Sequence, residues 1–341
     1  MSATATDTAG TTGSGTAARF SPRRLGHANL FVTDLDRSMA FYNRVCGLEE
    51  VRREPGIAAG FLTNGNTHHD VGLMELGEEA RVGLGGHTQV AKSRLKHAGL
   101  NHLGWELATE KDLVDAYRRA VEAGVKIHRT TDHQISHSVY VFDPDGNLNE
   151  FYADAMDDWR AVFNPDREDL VSGHWDPLAA APSEVPRYHA EPELRQVPGS
   201  AFHSLRITHA VLVARNLDRL ARFYEEVGGL TPVDGESTDD FRCLRGTSAR
   251  YDLVLFPARD GLAPGLHHVA FEVDDADLED SAADLAAMGY AAERRVDNDA
   301  KRSVFVRDPD DIGVELYVPG ARAGDMAIAR GAPAEDRLYL V

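Results

Sequence analysis

Cysteine and basic side chains are both scarce in this chain of 341 residues. Only Cys46 and Cys243 are present, and two thiols cannot build a disulfide framework, so we expect a protein of the reducing cytoplasm. The 36 Lys and Arg residues stand against 55 Asp and Glu, which gives a formal net charge of −19. A chain this acidic repels phosphate backbones, and we therefore exclude nucleic acid as a partner.

Long apolar runs are missing as well, although 43% of the residues are hydrophobic. The longest apolar stretches have the length of a β-strand, so the sequence predicts no membrane segment. Residues 1–22 begin with a run of Ala, Thr, Gly and Ser that resembles neither a signal peptide nor a packed segment, and we predict a disordered tail there. The remaining length is enough for two domains with sizeable cores.

An internal duplication organises the rest of the chain. The segment DLDRSMAFYNRVCGL at 34–48 returns as NLDRLARFYEEVGGL at 216–230, with eight of fifteen positions identical. A second pair, SVYVFDPDGNLNEFY at 138–152 and SVFVRDPDDIGVELY at 303–317, lies near the end of each half. The chain therefore contains two copies of one unit.

Each half divides again, because every quarter opens on a predicted strand that carries a histidine. These histidines are His27, His102, His209 and His268. A predicted helix and short strands with turn residues between them follow each one, which gives a βαβββ module four times over. We predict an α+β fold in which the modules pair into two cup-shaped domains. The predicted boundaries are 23–157 for the first domain, 158–204 for a linker, 205–320 for the second domain and 321–341 for an irregular tail.

Three side chains of the first half have the types and places of a metal site. His27 and His102 occupy equivalent positions on the opening strands of two modules, and Glu150 lies on the closing strand of the second. If the modules pair into a cup, these side chains converge on one pocket. Two imidazoles and one carboxylate leave coordination positions open and favour non-haem Fe(II), with Mn(II) as the next choice. A single strand histidine is more often an ordinary packed residue, so the repeat equivalence carries this prediction.

Three further side chains are candidates for chemistry beside the metal. His69 is predicted at the start of the last strand of the first module, where an imidazole facing the pocket could shuttle protons. Its neighbour His68 should point the other way. His133 precedes the strand that leads to Glu150, and Tyr140 lies on that strand. Both could donate hydrogen bonds to an oxyanion or to bound oxygen.

The combination resembles the type I extradiol ring-cleaving dioxygenases of the catechol 2,3-dioxygenase type. These enzymes belong to the vicinal oxygen chelate (glyoxalase and bleomycin resistance) superfamily. The resemblance rests on the four modules, on the HDVGL segment that begins at His69, and on the segment from Asp132 through SVYVFDPDGN to Glu150. The modules cover residues 25–318, and the dioxygenase-like segments lie within 25–153.

This resemblance implies an oxidoreductase of aromatic hydrocarbon catabolism. Both atoms of O2 would enter a catechol-type diol and give a ring-opened, semialdehyde-type product. The implied Fe(II) ligands are His27, His102 and Glu150. The implied acid/base is His69, and the residues implied to contact substrate or oxygen intermediates are His133 and Tyr140. We also expect a homo-oligomer.

Of these six positions, the second half keeps the same residue types only at the three that correspond to the implied metal ligands. His209, His268 and Glu315 stand at the triad positions, whereas Tyr251 replaces His69, Asn298 replaces His133 and Phe305 replaces Tyr140. We expect a degenerate site there, either a relic of the duplication or a non-catalytic metal site. This allocation is the reverse of the usual one in two-domain members of the resembled family, which carry the working site in the second half.

Two alternative functions stay open at this point. A glyoxalase-like isomerase or transferase would use a metal in the same cup and recruit a fourth carboxylate, for which Glu75 is the candidate. A non-enzymatic binder of aromatic molecules or drugs would use the cup without a metal. The sequence leaves open the ring substituent, the bond that is cleaved and the number of subunits.

Overall fold

The computed structural model describes residues 20–82, 88–90, 96–163, 173–233 and 240–341. The predicted N-terminal tail therefore lies largely outside the described residues. Its last part differs from the prediction, because Phe20 is buried and its ring stacks on Phe151 with centroids 3.9 Å apart. Stacked aromatic rings bury a large apolar area, which holds this short segment in the core.

The first half forms two βαβββ modules joined by a hairpin. The first module consists of β1 (Arg24–Val32), α1 (Leu35–Arg44), β2 (Glu49–Glu54), β3 (Ala59–Thr63) and β4 (Val71–Glu75). The hairpin consists of β5 (Arg81–Val82) and β6 (Thr88–Val90). The second module consists of β7 (Gly99–Glu106), α2 (Glu110–Glu122), β8 (Ile127–Asp132), β9 (Ser136–Phe142) and β10 (Leu148–Asp154).

The second half repeats this order after a short strand, β11 (Gly173–His174). The third module consists of β12 (Ser204–Ala214), α3 (Leu217–Glu226), β13 (Thr231–Pro232), β14 (Arg242–Arg245) and β15 (Leu253–Pro257). The fourth consists of β16 (Gly265–Val273), α4 (Asp277–Ala287), β17 (Arg294–Asp297), β18 (Lys301–Arg307) and β19 (Gly313–Pro319). Two helices, α5 (Ala327–Arg330) and α6 (Ala334–Leu340), follow. The prediction of four βαβββ modules in an α+β fold is confirmed.

Each half builds one mixed sheet, and the two opening strands of its modules pair at the centre. The order in the first half is β11-β8-β9-β10-β7-β1-β4-β3-β2, and that in the second half is β13-β14-β15-β12-β16-β19-β18-β17. The opening strands β1 and β7 run antiparallel, as do β12 and β16. Each module's closing strand lies parallel to its opening strand. The strand histidines of two modules therefore lie side by side in the middle of a sheet.

Short-range signals fix the helix ends. The side chains of Asp34, Thr109 and Asn216 accept a backbone N–H of the first turn and cap α1, α2 and α3. Each such cap stabilises a helix by about 1 kcal/mol. Beyond the C-terminal ends, Gly47 and Gly124 have φ of +73° and +76°, a conformation that glycine adopts without strain. None of the described helices combines the length and the apolar character that a membrane crossing needs.

The two halves pack through reciprocal hydrogen bonds between equivalent residues. The Asp70 carboxylate accepts the backbone N–H of Ile207 at 3.1 Å, and the Asp252 carboxylate accepts that of Leu25 at 2.6 Å. Residues 70 and 252 each precede a closing strand, and both acceptors reach the opening strand of the other half. One hydrophobic cluster contains buried residues of all four modules, so the halves share a core.

The predicted linker, 158–204, does more than connect the halves. It forms a 3₁₀ turn at Trp159–Ala161, after which the Phe163 ring lies 5.4 Å from the ring of Phe61 on β3. Further along, His174 on β11 pairs with Thr131 on β8. Apolar side chains of the linker thus cover one face of the first sheet and form a wall of its cavity.

The predicted irregular tail, 321–341, is wrong in its secondary structure. Helices α5 and α6 form there, and their buried residues pack on the second sheet. Ala329 and Leu338 join a cluster with Val254 and Phe256 of β15. The helices form because this packing buries apolar side chains that a short isolated helix would leave in water.

Candidate metal centre

His27, His102 and Glu150 meet at the centre of the first sheet. The Nε2 atoms of both histidines lie 3.0 Å from Glu150 Oε2 and 3.3 Å from each other. All three residues are at most 5% exposed. Adjacent ligands of a six-coordinate ion with bonds of roughly 2.1 Å lie about 3 Å apart, so this spacing fits three neighbouring ligand positions. The three residues could hold a divalent metal ion.

Strand register explains why these side chains converge. On the central strand β7, Gly104 pairs with His27 of β1 on one side and with Glu150 of β10 on the other. His102 precedes Gly104 by two residues and so faces the same side of the sheet. A Cβ at Gly104 would lie 2.2 Å from the His27 ring. The site therefore needs a glycine at its centre to leave room for the first imidazole.

The electrostatics give His102 and Glu150 the protonation states that metal ligands need. Burial lowers the pKa of His102 to about 4, although the Glu150 carboxylate acts to raise it. Burial also acts to raise the pKa of Glu150, but hydrogen bonds from His102 and His27 outweigh it and hold that pKa well below its usual value. Near neutral pH the site therefore combines an ionised carboxylate with a neutral imidazole at His102.

His69 lies against the triad, with its ring 4.1 Å from the ring of His27. It belongs to the loop before β4 rather than to the strand, and His68 lies in the same loop. The expectation that His68 points away is wrong, because its Nδ1 lies 2.7 Å from Nδ1 of His69 and both residues line the cavity. The alternation of a strand does not apply to a loop, which can direct two consecutive side chains to one side. Burial lowers the pKa of both histidines well below its usual value.

His133 and Tyr140 form a hydrogen-bonded pair beside the carboxylate. The Tyr140 hydroxyl lies 3.0 Å from His133 Nε2, which in turn lies 3.7 Å from Glu150 Oε1. Burial lowers the pKa of His133 to about 4 and, together with Glu150, raises that of the Tyr140 hydroxyl well above its usual value. The structure thus brings all six predicted side chains together in one place.

The cavity over these side chains has a volume of about 310 Å³. Its apolar side contains Ile57, Phe61, Ile135 and Phe163. Its polar side contains two triad residues and their neighbours, namely His102, Glu150, His68, His69, His133 and Tyr140. The side chains of Arg129 and Glu54 also line the wall. A flat, mostly apolar molecule with a few polar atoms at one end fits such a lining.

Asn29 and Ser138 are among the polar side chains of the site that sequence reasoning missed. Asn29 is 1% exposed, lines the cavity and accepts a hydrogen bond from the Asn101 amide at 3.1 Å. The Ser138 hydroxyl donates to Glu150 Oε1 at 2.6 Å and so orients the carboxylate. Asn29 follows His27 by two residues and Ser138 precedes Tyr140 by two, so strand alternation was the signal that could have found both.

The first module offers no fourth carboxylate at the matching position. Glu150 pairs with Gly104, two residues after His102, and the corresponding residue of the first module is Gly72, which pairs with Asn29. A Cβ at Gly72 would lie 2.4 Å from the Asn29 amide nitrogen. Glu75, the candidate from the sequence, instead accepts the backbone N–H of Leu35 at the start of α1.

The second half contains a similar but wider triad. His209 Nε2 and His268 Nε2 lie 3.5 Å and 3.6 Å from Glu315 Oε2, and all three side chains are buried. The Tyr251 ring lies 4.6 Å from the His209 ring and Phe305 lies 5.3 Å from His268, in the places of His69 and Tyr140. The Asn298 side chain accepts the backbone N–H groups of residues 300 and 301 in a turn.

Comparison with known proteins gives sequence relatives for part of the chain. The chain is 31% identical over 144 residues to a catechol-2,3-dioxygenase of Bacillus subtilis (strain 168), a match that covers 42% of this chain and 45% of that protein. It is 30% identical over 131 residues to biphenyl-2,3-diol 1,2-dioxygenase 3 of Rhodococcus globerulus, which covers 38% of this chain and 63% of that protein. The matches thus span less than two thirds of either relative.

Solved structures share the fold over most of the chain. The Mn(II)-bound glyoxalase from Novosphingobium aromaticivorans superposes with a TM-score of 0.60 at 20% identity, over 87% of this chain and 82% of that one. The 2,3-dioxygenase LapB from Pseudomonas sp. KL28 gives a TM-score of 0.61 at 16% identity, over 89% and 94%. At such identities the likeness concerns the fold alone.

The family model of the Glyoxalase/Bleomycin resistance protein/Dioxygenase superfamily matches residues 24–151 and 206–316, which together contain both triads and all but a few end residues of the four modules. These two segments make up most of the chain, and the chain therefore belongs to this superfamily.

Proposed function

We propose that the protein is an Fe(II)-dependent extradiol dioxygenase that cleaves a catechol-type aromatic diol with O2. The observation that carries the proposal is the meeting, in one cavity, of a two-histidine, one-glutamate ligand set with His69 and the His133–Tyr140 pair. Two imidazoles and one carboxylate on neighbouring positions are the ligand type that non-haem Fe(II) oxygenases use. The sequence similarity of part of the chain to two dioxygenases points the same way.

The ligands in this proposal are His27, His102 and Glu150. Bound to these residues, Fe(II) would offer open coordination positions to the diol oxygens and to O2 and a path for electron density between them. Ser138 keeps Glu150 in place through its hydrogen bond. The apolar wall that contains Phe61 and Ile57 packs on the aromatic ring and excludes water from it.

Proton transfer in this proposal belongs to His69. Burial keeps its imidazole neutral near pH 7, so the ring can accept the proton that a diol hydroxyl releases on binding and return it during ring opening. The His133–Tyr140 pair supplies hydrogen-bond donors on another side of the triad. Donors in a buried cavity stabilise developing negative charge on oxygen more strongly than donors in water do.

Gly72 makes a glyoxalase-like activity the weaker candidate. A four-ligand metal site shared by two modules would need a carboxylate at the position of the first module that corresponds to Glu150, and that position is Gly72. The Asn29 amide occupies the space that a side chain there would enter. The three-residue set leaves more coordination positions open, which a reaction with two substrates at one metal requires.

The test is metal analysis of anaerobically purified protein, followed by oxygen uptake and visible absorbance with a panel of catechols. We expect bound iron, one O2 consumed per diol and a coloured ring-opened product. The matched control is His102→Ala, which removes a ligand and should abolish iron retention and uptake together. Iron-loaded protein that consumes no O2 with any diol would contradict the proposal. Higher turnover after loading with Mn(II) would correct only the metal.

A further inference from the structure

The second triad already holds a cation, and that cation is a side chain of this protein. Lys301 Nζ lies 2.6 Å from Glu315 Oε1, on the carboxylate that also faces His209 and His268. Lys301 is 2% exposed, and Glu315 is fully buried. A buried ammonium group this close to a carboxylate forms an ion pair that water does not screen.

The lysine is fixed in this place from several sides. It is the first residue of β18, and its Nζ donates to the backbone oxygen of Val341. The ammonium group also lies 5.4 Å from the centre of the Phe305 ring. Tyr339 of α6 packs on Phe305 with ring centroids 4.9 Å apart and so covers this side of the triad. The ammonium group is thus part of the packed structure of the second half.

The first half has no such cation at the equivalent position. Glu150 pairs with Tyr140 and Glu315 pairs with Phe305, so the two sheets align in register. Four residues earlier on the same strands, Ser136 of the first half corresponds to Lys301. Ser136 lines the first cavity and carries no charge. The two triads therefore differ in the partner of their carboxylate although their residue types are the same. Lys301 forms an ion pair with Glu315, whereas Arg129 in the wall of the first cavity lies over the Tyr140 ring.

We propose that the Lys301 ammonium group replaces the divalent ion in the second triad, so that this triad is a metal-free structural site and the protein binds one divalent metal ion per chain. A divalent ion on His209, His268 and Glu315 would lie beside a buried positive charge and share its carboxylate. Like charges repel strongly at such distances in a buried site. Removal of the lysine charge should therefore convert the second triad into a metal site.

The experiment measures metal binding with the first triad removed, and it is independent of any ring-cleaving activity. The parent variant is His102→Ala with Glu150→Gln, and the probe is Co(II) alone, followed by equilibrium dialysis and by visible absorption. We expect the parent to bind no stoichiometric Co(II). Lys301→Ser, which introduces the residue of the first half, should raise binding to about one ion per chain, as expected for two imidazoles and a carboxylate.

Two control variants make the readout specific. Lys301→Arg keeps a positive charge and should leave binding at the level of the parent. His268→Ala in the Lys301→Ser background removes a ligand and should abolish the new site. Circular dichroism checks the fold, and Lys301→Met, which keeps the length of the aliphatic chain, replaces the serine variant if that one does not fold.

Two results would overturn the proposal. The first is a parent that binds about one Co(II) ion and loses it on His268→Ala, because the triad would then accept a metal beside the lysine. The second is a folded Lys301→Ser or Lys301→Met variant that binds none. Neither result depends on whether the first triad catalyses ring cleavage.

Discussion

The Tyr42 hydroxyl of α1 donates a hydrogen bond to the Asp308 carboxylate at 3.3 Å, and so joins a helix of the first half to a turn of the second. The repeat-equivalent pair runs in the opposite direction, from Tyr224 to Asp143, at 3.1 Å. The two most similar repeated segments of the sequence, the helix with its Phe-Tyr pair and the Asp-Pro turn, thus contact each other across the interface twice. Their similarity has a structural cause that is separate from the two triads.

Removal of either hydroxyl should destabilise the protein. Tyr42→Phe and Tyr224→Phe each take one donor from a buried carboxylate and should lower the free energy of unfolding by about 1 to 2 kcal/mol. Denaturant unfolding monitored by tryptophan fluorescence measures this loss. The matched control is Tyr117→Phe in α2, which removes a hydroxyl away from this interface. Equal stability of all three variants and the wild type would show that the pairs contribute nothing.

Gly104→Ala should disrupt the first triad without changing a ligand. The added Cβ would lie 2.2 Å from the His27 imidazole, so the ring has to leave its position. We expect metal affinity to fall by roughly tenfold or more, as for other losses of ligand orientation. The control is Gly56→Ala, where an added Cβ has no atom within 4 Å. Competition with a coloured chelator gives both affinities, and unchanged binding in the Gly104 variant would refute the crowding argument.

His69→Ala tests the assigned proton transfer. The variant should retain the metal, because His69 is not among the three converging ligands, while turnover should fall by about 10²- to 10⁴-fold. Metal content and steady-state oxygen uptake are measured on the same samples. The exposed His97→Ala serves as the control for a histidine lost elsewhere. Full oxygen uptake with catechols in the His69 variant would mean that the assigned role is wrong.

The Asp252 carboxylate should make stability depend on pH in the acidic range. Burial raises its pKa from 3.8 to about 6, although the backbone N–H groups of Gly246 and Leu25 and the charges of Arg24 and Arg206 act to lower it. The folded protein therefore favours the protonated form. Its stabilising contribution is present below pH 4, is lost as the pH rises to about 6, and stays lost above that.

Comparison with Asp252→Asn isolates this group from the titrating histidines. Relative to the variant, the wild type should lose about 3 kcal/mol of unfolding free energy between pH 4 and pH 7. Urea unfolding at several pH values measures the difference. The control is Asp260→Asn at an exposed position, where the free energy of unfolding should depend on pH as it does in the wild type. A difference between wild type and Asp252→Asn that does not change with pH would contradict the raised pKa.

The repeats made much of the fold and of the site predictable. Helix caps, turn residues and the strand histidines are short-range signals, and the duplication shows which positions are equivalent. Equivalent positions on paired opening strands must lie together, which is why His27 and His102 could be matched across 75 residues of sequence. His133 and Tyr140 were candidates because one precedes and the other lies on the strand that leads to Glu150 and because the resemblance implied them, and the structure places them 3.0 Å apart.

The direction of His68, the wall from Phe163 and the packing of α6 were beyond this reasoning. Each belongs to a loop, the predicted linker or the predicted tail, where no periodic pattern fixes which way a side chain points. The charge balance of the second triad belongs here too. Sequence alignment of the halves sets Lys301 opposite Ser136. It does not show that the side chain of Lys301, four residues before the strand partner of Glu315, reaches that carboxylate.

The sequence by itself determined the modules, their number, the residue types of both triads and the strands that bring each triad together, because those depend on local propensity and on a repeated strand register. Only the tertiary structure decided that the two triads differ in character. The first opens into a cavity, while the second lies buried around an ammonium group. That difference depends on which distant segments cover each sheet, and such packing is set by the whole chain rather than by any one segment of it.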